Sequence, residues 1–194
     1  AVTSGIIGAV ADIIKVEEKY ETAIETALGG SIQNIVTDTQ KTAKKMIEYL
    51  KKNRYGRVTF LPLDAVKGKE FARKEILLEP GVIGAANQLV IYDEVYKDLF
   101  ASLLGQILVV KDMDVGIKIA NKYHHSVRIV TLDGDSLNRG GAMSGGAFKN
   151  KSNLLGRSRE VEELKKKLDR WTNAITEDCL LYTSPSPRDV EESR

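Results

Sequence analysis

Apolar residues along this chain come in short blocks whose period switches between that of a strand and that of a helix. "AVADIIKV" is a short apolar segment near the start. Tyr20, Ala23, Ile24, Ala27 and Leu28 then keep the i, i+3, i+4, i+7, i+8 spacing of one helix face, and Gly29 and Gly30 stand where a helix C-cap falls. "IQNIVT" reads as a strand, "DTQKTAKKMIEYLKKN" as a helix with Ala43, Met46, Ile47 and Leu50 on its apolar stripe, and "GRVTFLPL" as a strand closing at Pro62. Residues 64–80 are charged and read as a connecting segment. The same grammar then repeats: "NQLVIY" as strand, "DEVYKDLFASLLG" as a helix with Tyr96, Leu99, Phe100 and Leu103 on one face, "QILVV" as strand, "DMDVGIKIANKYHH" as helix, "VRIVTLDGD" as strand. Strands alternating with helices predict an α/β (mixed α+β) domain. The break at 64–80 divides it into subdomain I, about residues 1–64, and subdomain II, about residues 81–156.

Beyond residue 156 the pattern changes. Val161, Leu164, Leu168, Trp171 and Ile175 are spaced 3, 4, 3, 4, an a/d seam of about two heptads. By itself the spacing fits an ordinary amphipathic helix as well as the start of a coiled coil over 157–178. The seam is lost in "CLLYTSPSPRDVEESR", where Pro185 and Pro187 exclude helix continuation. The string "LLYTSPSPRD" resembles a translated cloning adaptor, so residues 179–194 are read as a non-native or disordered tail lying outside the helix.

Composition narrows the function classes only a little. The chain of 194 residues is 42% hydrophobic and 29% charged, with a formal net charge of +2. No apolar run is long enough for a bilayer and no leader-like stretch opens the chain, which points to a cytoplasmic protein without a membrane partner. The single cysteine, Cys179, excludes an internal disulfide and a cysteine-based metal cluster.

The densest signal is "TLDGDSLNRGGAMSGGAFKN", with Gly134, Gly140, Gly141, Gly145 and Gly146 close together. So many glycines ask for positive φ, a phosphate, or a close surface. No G-K-[ST] follows them, and their spacing matches neither a P-loop nor a dinucleotide fingerprint. Ser144, between Met143 and Gly145, lacks the frame of a hydrolase elbow. Asp133 and Asp135 flank Gly134 as turn residues do, with no ligand-spaced partner for a metal. His124 and His125 are adjacent, so on a helix they diverge and cannot share an ion; a place at a helix C-terminus suits them better. No catalytic residue, metal or cofactor is assigned.

From Lys41 to Arg57 the chain carries Lys41, Lys44, Lys45, Lys51, Lys52, Arg54 and Arg57 against one acid, Glu48. Most Lys-rich faces are simply solvated, but the asymmetry in a nearly neutral chain makes these residues candidates for contacts to a nucleic-acid backbone. Tyr49 and Tyr55 lie among them and are able to stack on unpaired bases.

In combination and order, "ALGG", "GRVTFLPLD", "TLDGD" and "GGAMSGG" followed by "LLGRSREVEELKKKL" resemble the hinge domain of bacterial SMC proteins, the chromosome-structuring ATPases. The resemblance covers residues 5 to about 170. It implies two related α/β subdomains placed between the two arms of an antiparallel coiled coil. It implies homodimerisation into a ring-like body, with Gly140, Gly141, Met143, Ser144, Gly145 and Gly146 at the subunit interface because two backbones approach closely there. Val161 onward would begin the returning arm, whose partner helix is missing from this chain; unpaired, that helix would fray or pair artificially. The ATP-binding head motifs of the family are absent, so ATP binding and hydrolysis would belong to the intact protein, with DNA bound without sequence preference at the nucleoid. Two rival readings are an α/β nucleotide-binding protein using the glycine loop, and a plain DNA-binding module in which dimerisation is incidental.

Overall fold

The computed structural model describes residues 4–69, 71, 73–146 and 154–183. Two units can be distinguished, Ala1–Gly156 and Arg157–Arg194. In the first unit, β1 (Ile6–Ala9), the one-turn helix α1 (Val10–Ile13), β2 (Lys15–Val16), α2 (Glu18–Leu28), β3 (Ile35–Thr37), α3 (Gln40–Lys52) and β4 (Phe60–Pro62) follow one another. After them come β5 (Val82–Ala85), β6 (Val90–Ile91), α4 (Lys97–Leu104), β7 (Ile107–Val110), α5 (Met113–Lys122), β8 (Arg128–Thr131), β9 (Ser136–Leu137) and β10 (Met143–Ser144). The last element, α6 (Leu154–Thr183), begins in the first unit and continues in the second.

The two series are a structural repeat, and it can be followed residue by residue. Gly5-Ile6-Ile7-Gly8-Ala9 matches Gly81-Val82-Ile83-Gly84-Ala85, with φ of +96° and +87° at the leading glycines. Each edge strand carries the same irregularity, between Ile6 and Gly8 against β3 and between Val82 and Gly84 against β7. Each repeat then pairs two strands in parallel, β3 with β4 and β7 with β8. Thr39 caps α3 by accepting from the Thr42 N–H, and Asp112 caps α5 by accepting from the Val115 N–H. The sheet orders are β1-β3-β4 and β10-β9-β8-β7-β5, so the second sheet is the first plus a hairpin.

The halves are not independent. Strand β2 pairs antiparallel with β6, and Lys15 stands opposite Ile91, its own counterpart in the repeat. A residue paired with its equivalent lies on a local two-fold axis. Around that axis one core is shared: Val10, Ile14, Ile24 and Leu28 from the first half pack with Phe100, Leu104, Ile107, Val109 and Val130 from the second. The Tyr92 and Phe100 rings lie 4.7 Å apart. A second cluster, with Phe71, Ile76, Leu108, Val110, Ile119 and Ile129, lies under α5.

Several local expectations change. Val82–Ala85 is a strand, β5, with the bulge between Val82 and Gly84, and Gly81 precedes it at φ +87°. The start of "NQLVIY" lies in a 3-10 turn, Ala86–Gln88, and only Val90–Ile91 of it is strand, β6. The 64–80 segment holds a 3-10 turn, Lys74–Leu78, and sends Phe71 and Ile76 into the core. Helix α5 stops at Lys122; His124 and His125 follow it with φ of +54° and +50°, and the His125 N–H closes the end on the Ala120 carbonyl. Helix α6 runs through Cys179 to Thr183, further than the tail reading allowed. The rest of that tail lies outside the described residues.

Arg128 joins the halves in a way that no pattern announces. From β8 its guanidinium donates to the Ala27 carbonyl at 2.9 Å and the Thr26 carbonyl at 3.1 Å, in the last turn of α2. A cation at the negative end of the helix dipole satisfies carbonyls that would otherwise lack donors. Its half-burial pushes the guanidinium pKa down from the usual range, a cost that the two hydrogen bonds offset. Replacing Arg128 with Ala is expected to cost about 2 kcal/mol, read as a lower urea midpoint at unchanged m-value. An unchanged midpoint would remove Arg128 from the account of how the halves hold together.

Candidate interface at the glycine hairpin and the basic helix

The glycine-rich stretch folds as the β9–β10 hairpin. Met143 lies opposite Leu137 and Ser144 opposite Ser136, while the Asn138 N–H donates to the Ala142 carbonyl at 2.8 Å. Alternation along an antiparallel pair turns the N–H and C=O of Met143 away from β9. No described strand lies on that outer side, so β10 is a free sheet edge. Met143, Ser144, Gly145 and Gly146 are exposed, as is Gly140, and Gly141 is half-exposed.

Each glycine already has a reason within one protomer. Gly140, Gly141 and Gly146 have φ of +86°, +92° and +143°, where side chains are strained. A Cβ on Gly145 would collide with Asp135 Oδ1, the oxygen that accepts from the Gly146 N–H at 3.3 Å. Asp135 thus serves the turn. The Gly140 N–H donates to the His125 carbonyl at 3.3 Å, so the hairpin tip rests on the turn after α5. Close approach of a second backbone is not needed to explain these glycines. What a partner would meet is Met143, 52% exposed on the open edge.

The basic helix lies in the other half. Lys41, Lys44, Lys45, Lys51, Lys52, Arg54 and Arg57 are all exposed, on α3 and the loop after it. Lys44 approaches Glu48 at 4.0 Å, an exposed i,i+4 pair of small energetic weight. Tyr49 and Tyr55 are exposed with ring centroids 6.1 Å apart, so the two aromatic faces stand among the cations. The apolar stripe of α3 is not fully covered: Ala43 is buried, but Ile47 is 39% exposed. Ile47, Ala43, Phe60 and Pro62 line a groove of about 430 Å³ beside β4, rimmed by Lys44 and Lys51.

The repeat gives that groove a counterpart. Gly116 on α5 and Ile129 on β8 occupy the positions of Ala43 and Phe60, and there Leu137 of β9 covers them. Leu137 is 3% exposed and in contact range of a Cβ on Gly116. The first half has no hairpin after β4, so the same groove stays open. Neither the groove nor the hairpin edge was legible as a site from residue types.

In the second unit, Val161, Leu164, Leu168, Trp171 and Ile175 are all more than half exposed, an uncovered apolar seam on α6. Ion pairs Arg159–Glu163 and Lys166–Glu162 run along the same helix. Among the described residues no cluster of three His, Cys, Asp or Glu is placed to hold a metal ion, and no helix is long and apolar enough to cross a membrane.

The chain combines a duplicated α/β body, in which β4 and β10 are sheet-edge strands, with an exposed apolar seam on α6. The family described as "SMC proteins Flexible Hinge Domain" matches residues 3–120. The chain belongs to that SMC hinge family. It is 47% identical over 166 residues to the chromosome partition protein Smc of Desulfitobacterium hafniense, and 45% identical over 168 residues to that of Bacillus subtilis. Each match covers 84% of this chain and 14% of the relative, so the chain spans about a seventh of those proteins. Among solved structures, an asymmetric dimer of the Geobacillus stearothermophilus SMC hinge domain is similar at TM-score 0.79 and 44% identity, over 89% of this chain and 71% of that one. The Pyrococcus furiosus SMC hinge domain is similar at TM-score 0.62 and 34% identity, over 77% of this chain and 76% of that one.

The Gly145–Asp135 contact predicts a coupled pair. Gly145→Ala should cost about 1 kcal/mol by displacing the Asp135 carboxylate, and in an Asp135→Ala background the same change should cost little. Additive effects in a double-mutant cycle of thermal stabilities would show that the contact is not what keeps position 145 a glycine.

Proposed function

We propose that this domain is the homodimerisation hinge of a longer SMC-type chromosome-partition protein. The observation that carries the reading is the pair of unlike open edges, β10 in one half and β4 in the other. Two-fold pairing sets β10 of each copy beside β4 of the other, so both edges close twice in one ring-like dimer. Met143 of the partner then fills the Ala43–Ile47–Phe60–Pro62 groove, as Leu137 fills its counterpart within the chain. The asymmetric dimer described for the Geobacillus stearothermophilus SMC hinge domain supports homodimerisation. The glycines Gly140, Gly141, Gly145 and Gly146 hold the hairpin in shape, and Met143 and Ser144 present it.

The domain itself carries no chemistry in this reading and needs no cofactor; ATP hydrolysis belongs to head domains elsewhere in the longer protein. The α6 seam takes an antiparallel partner helix from the same long chain. The seven cations on and after α3 hold DNA by its phosphates without reading sequence, which suits a cytoplasmic protein working at the nucleoid. A nucleotide site at the glycine loop is disfavoured because the Gly140, Gly141 and Gly146 amides are turned into hydrogen bonds to His125, Asn138 and Asp135.

Light scattering over a dilution series should give a mass twice that of the 21.4 kDa chain. Met143→Pro removes the outward N–H and the exposed side chain while sparing the bonds to β9, and is expected to weaken the dimer on the order of tenfold or more. Met143→Ala should weaken it less. A wild-type monomer at every concentration, or a Met143→Pro dimer as tight as wild type, would overturn the edge-pairing reading.

For DNA, replacing Lys45, Lys52 and Arg57 together with Ala spares the groove. The log–log salt dependence of binding to a duplex should flatten by about one unit for each phosphate no longer neutralised. An unchanged slope would move DNA away from α3.

A further inference from the structure

The second half contains a recess whose chemistry is explained by comparison with the first. Its volume is about 500 Å³, its floor includes Gly81, Val115 and Ile119, and Lys111 and Lys118 stand on its rim with Glu79, Asp112 and Lys122. The corresponding place in the first half is occupied. There Asp38 follows β3, its N–H donates to the Gly5 carbonyl at 3.0 Å, and its carboxylate lies over Gly5 beside Thr42. The Thr42 hydroxyl, then the Thr39 N–H and hydroxyl, hydrogen-bond that carboxylate and hold its pKa down.

In the second half Lys111 takes the place of Asp38 and Val115 that of Thr42. The backbone is unchanged: the Lys111 N–H donates to the Gly81 carbonyl at 2.9 Å. One repeat therefore supplies its own acid at the start of its second helix, and the other presents a cation and an aliphatic wall instead. The acids on this rim are already engaged. Glu79 accepts from Lys122 at 2.5 Å and from the Tyr123 hydroxyl at 2.7 Å, and Asp112 accepts from the Val115 N–H at 2.9 Å. Lys111 and Lys118 have no ion-pair partner among the described residues, and both are exposed. Gly81 keeps the floor tight, since a Cβ there would sit 2.7 Å from Val115 Cγ2.

We propose that this recess docks an acidic segment of a partner protein, an Asp or Glu whose carboxylate meets Lys111 and Lys118 and whose aliphatic neighbour rests on Val115 and Ile119. The occupant is a carboxylate because a carboxylate is what the equivalent site holds within this chain. The aliphatic wall and the two engaged acids disfavour a run of nucleic-acid phosphates, which would meet Glu79 and Asp112 at like charge. The site is independent of the dimer edges and of the cations on α3.

The test is amide chemical-shift mapping of the whole chain with the peptide acetyl-Glu-Leu-Glu-Val-amide, with acetyl-Gln-Leu-Gln-Val-amide and a short DNA duplex as comparisons. Saturable shifts at Lys111, Val115 and Lys118 are expected with the acidic peptide, at least about tenfold weaker with the Gln peptide. The double variant Lys111→Asp, Val115→Thr rebuilds the first half's own solution; it should stay as stable as the wild type and lose the peptide. A response to DNA but not to the acidic peptide would reassign the recess to nucleic acid and overturn the proposal. So would peptide binding that the double variant retains, or no response to millimolar peptide.

Discussion

Neither half of this repeat can close a core alone. Each half begins with a bulged edge strand, a short ribbon strand and a helix, and the first sheet has only three strands of three or four residues. A sheet of that size with one helix on each side buries too little apolar surface to be stable by itself. The halves therefore meet along a local two-fold axis, where Lys15 faces Ile91 and where α2 and α4 turn Ile24 and Phe100 into one interior. That shared core fixes everything further out. It relates the two α/β grooves, one open beside β4 and one filled by Leu137.

Once the backbone is duplicated, the two copies are free to diverge in what they present. A hairpin follows β8 and none follows β4, so one groove is filled by Leu137 and the other stays open with Ile47 half out of the core. An acid follows β3 and a lysine follows β7, so one glycine is covered by Asp38 and the other opens a recess. The divergence is asymmetry on a symmetric frame. In the proposed dimer each of the two unlike edges, β4 and β10, meets its complement in the other molecule.

The glycine hairpin shows how one motif admits two causes. Five close glycines suggest two backbones in contact, yet the hairpin requires nearly all of them for its own φ angles and for the Asp135 carboxylate. Surface built for a partner and surface built for a turn carry the same residues. Met143 and Ser144 complete the hairpin as its exposed edge strand.

Local order was legible in the chain. The apolar faces of α2, α3 and α4 and the seam from Val161 to Ile175 follow from spacings of three and four residues, and strand–helix alternation follows from the switch of period. Motif order also carried the family, and with it the expectation of two related subdomains. What the sequence left open lies at long range. Arg128 caps a helix a hundred residues earlier, Asp135 reaches across a hairpin to Gly146, and Ile47 belongs to a helical stripe but meets no cover. Periodicity states which side of an element turns inward. Which residues it meets there, and which edges remain uncovered, is decided when distant segments pack, because apolar burial rewards contact without specifying the partner.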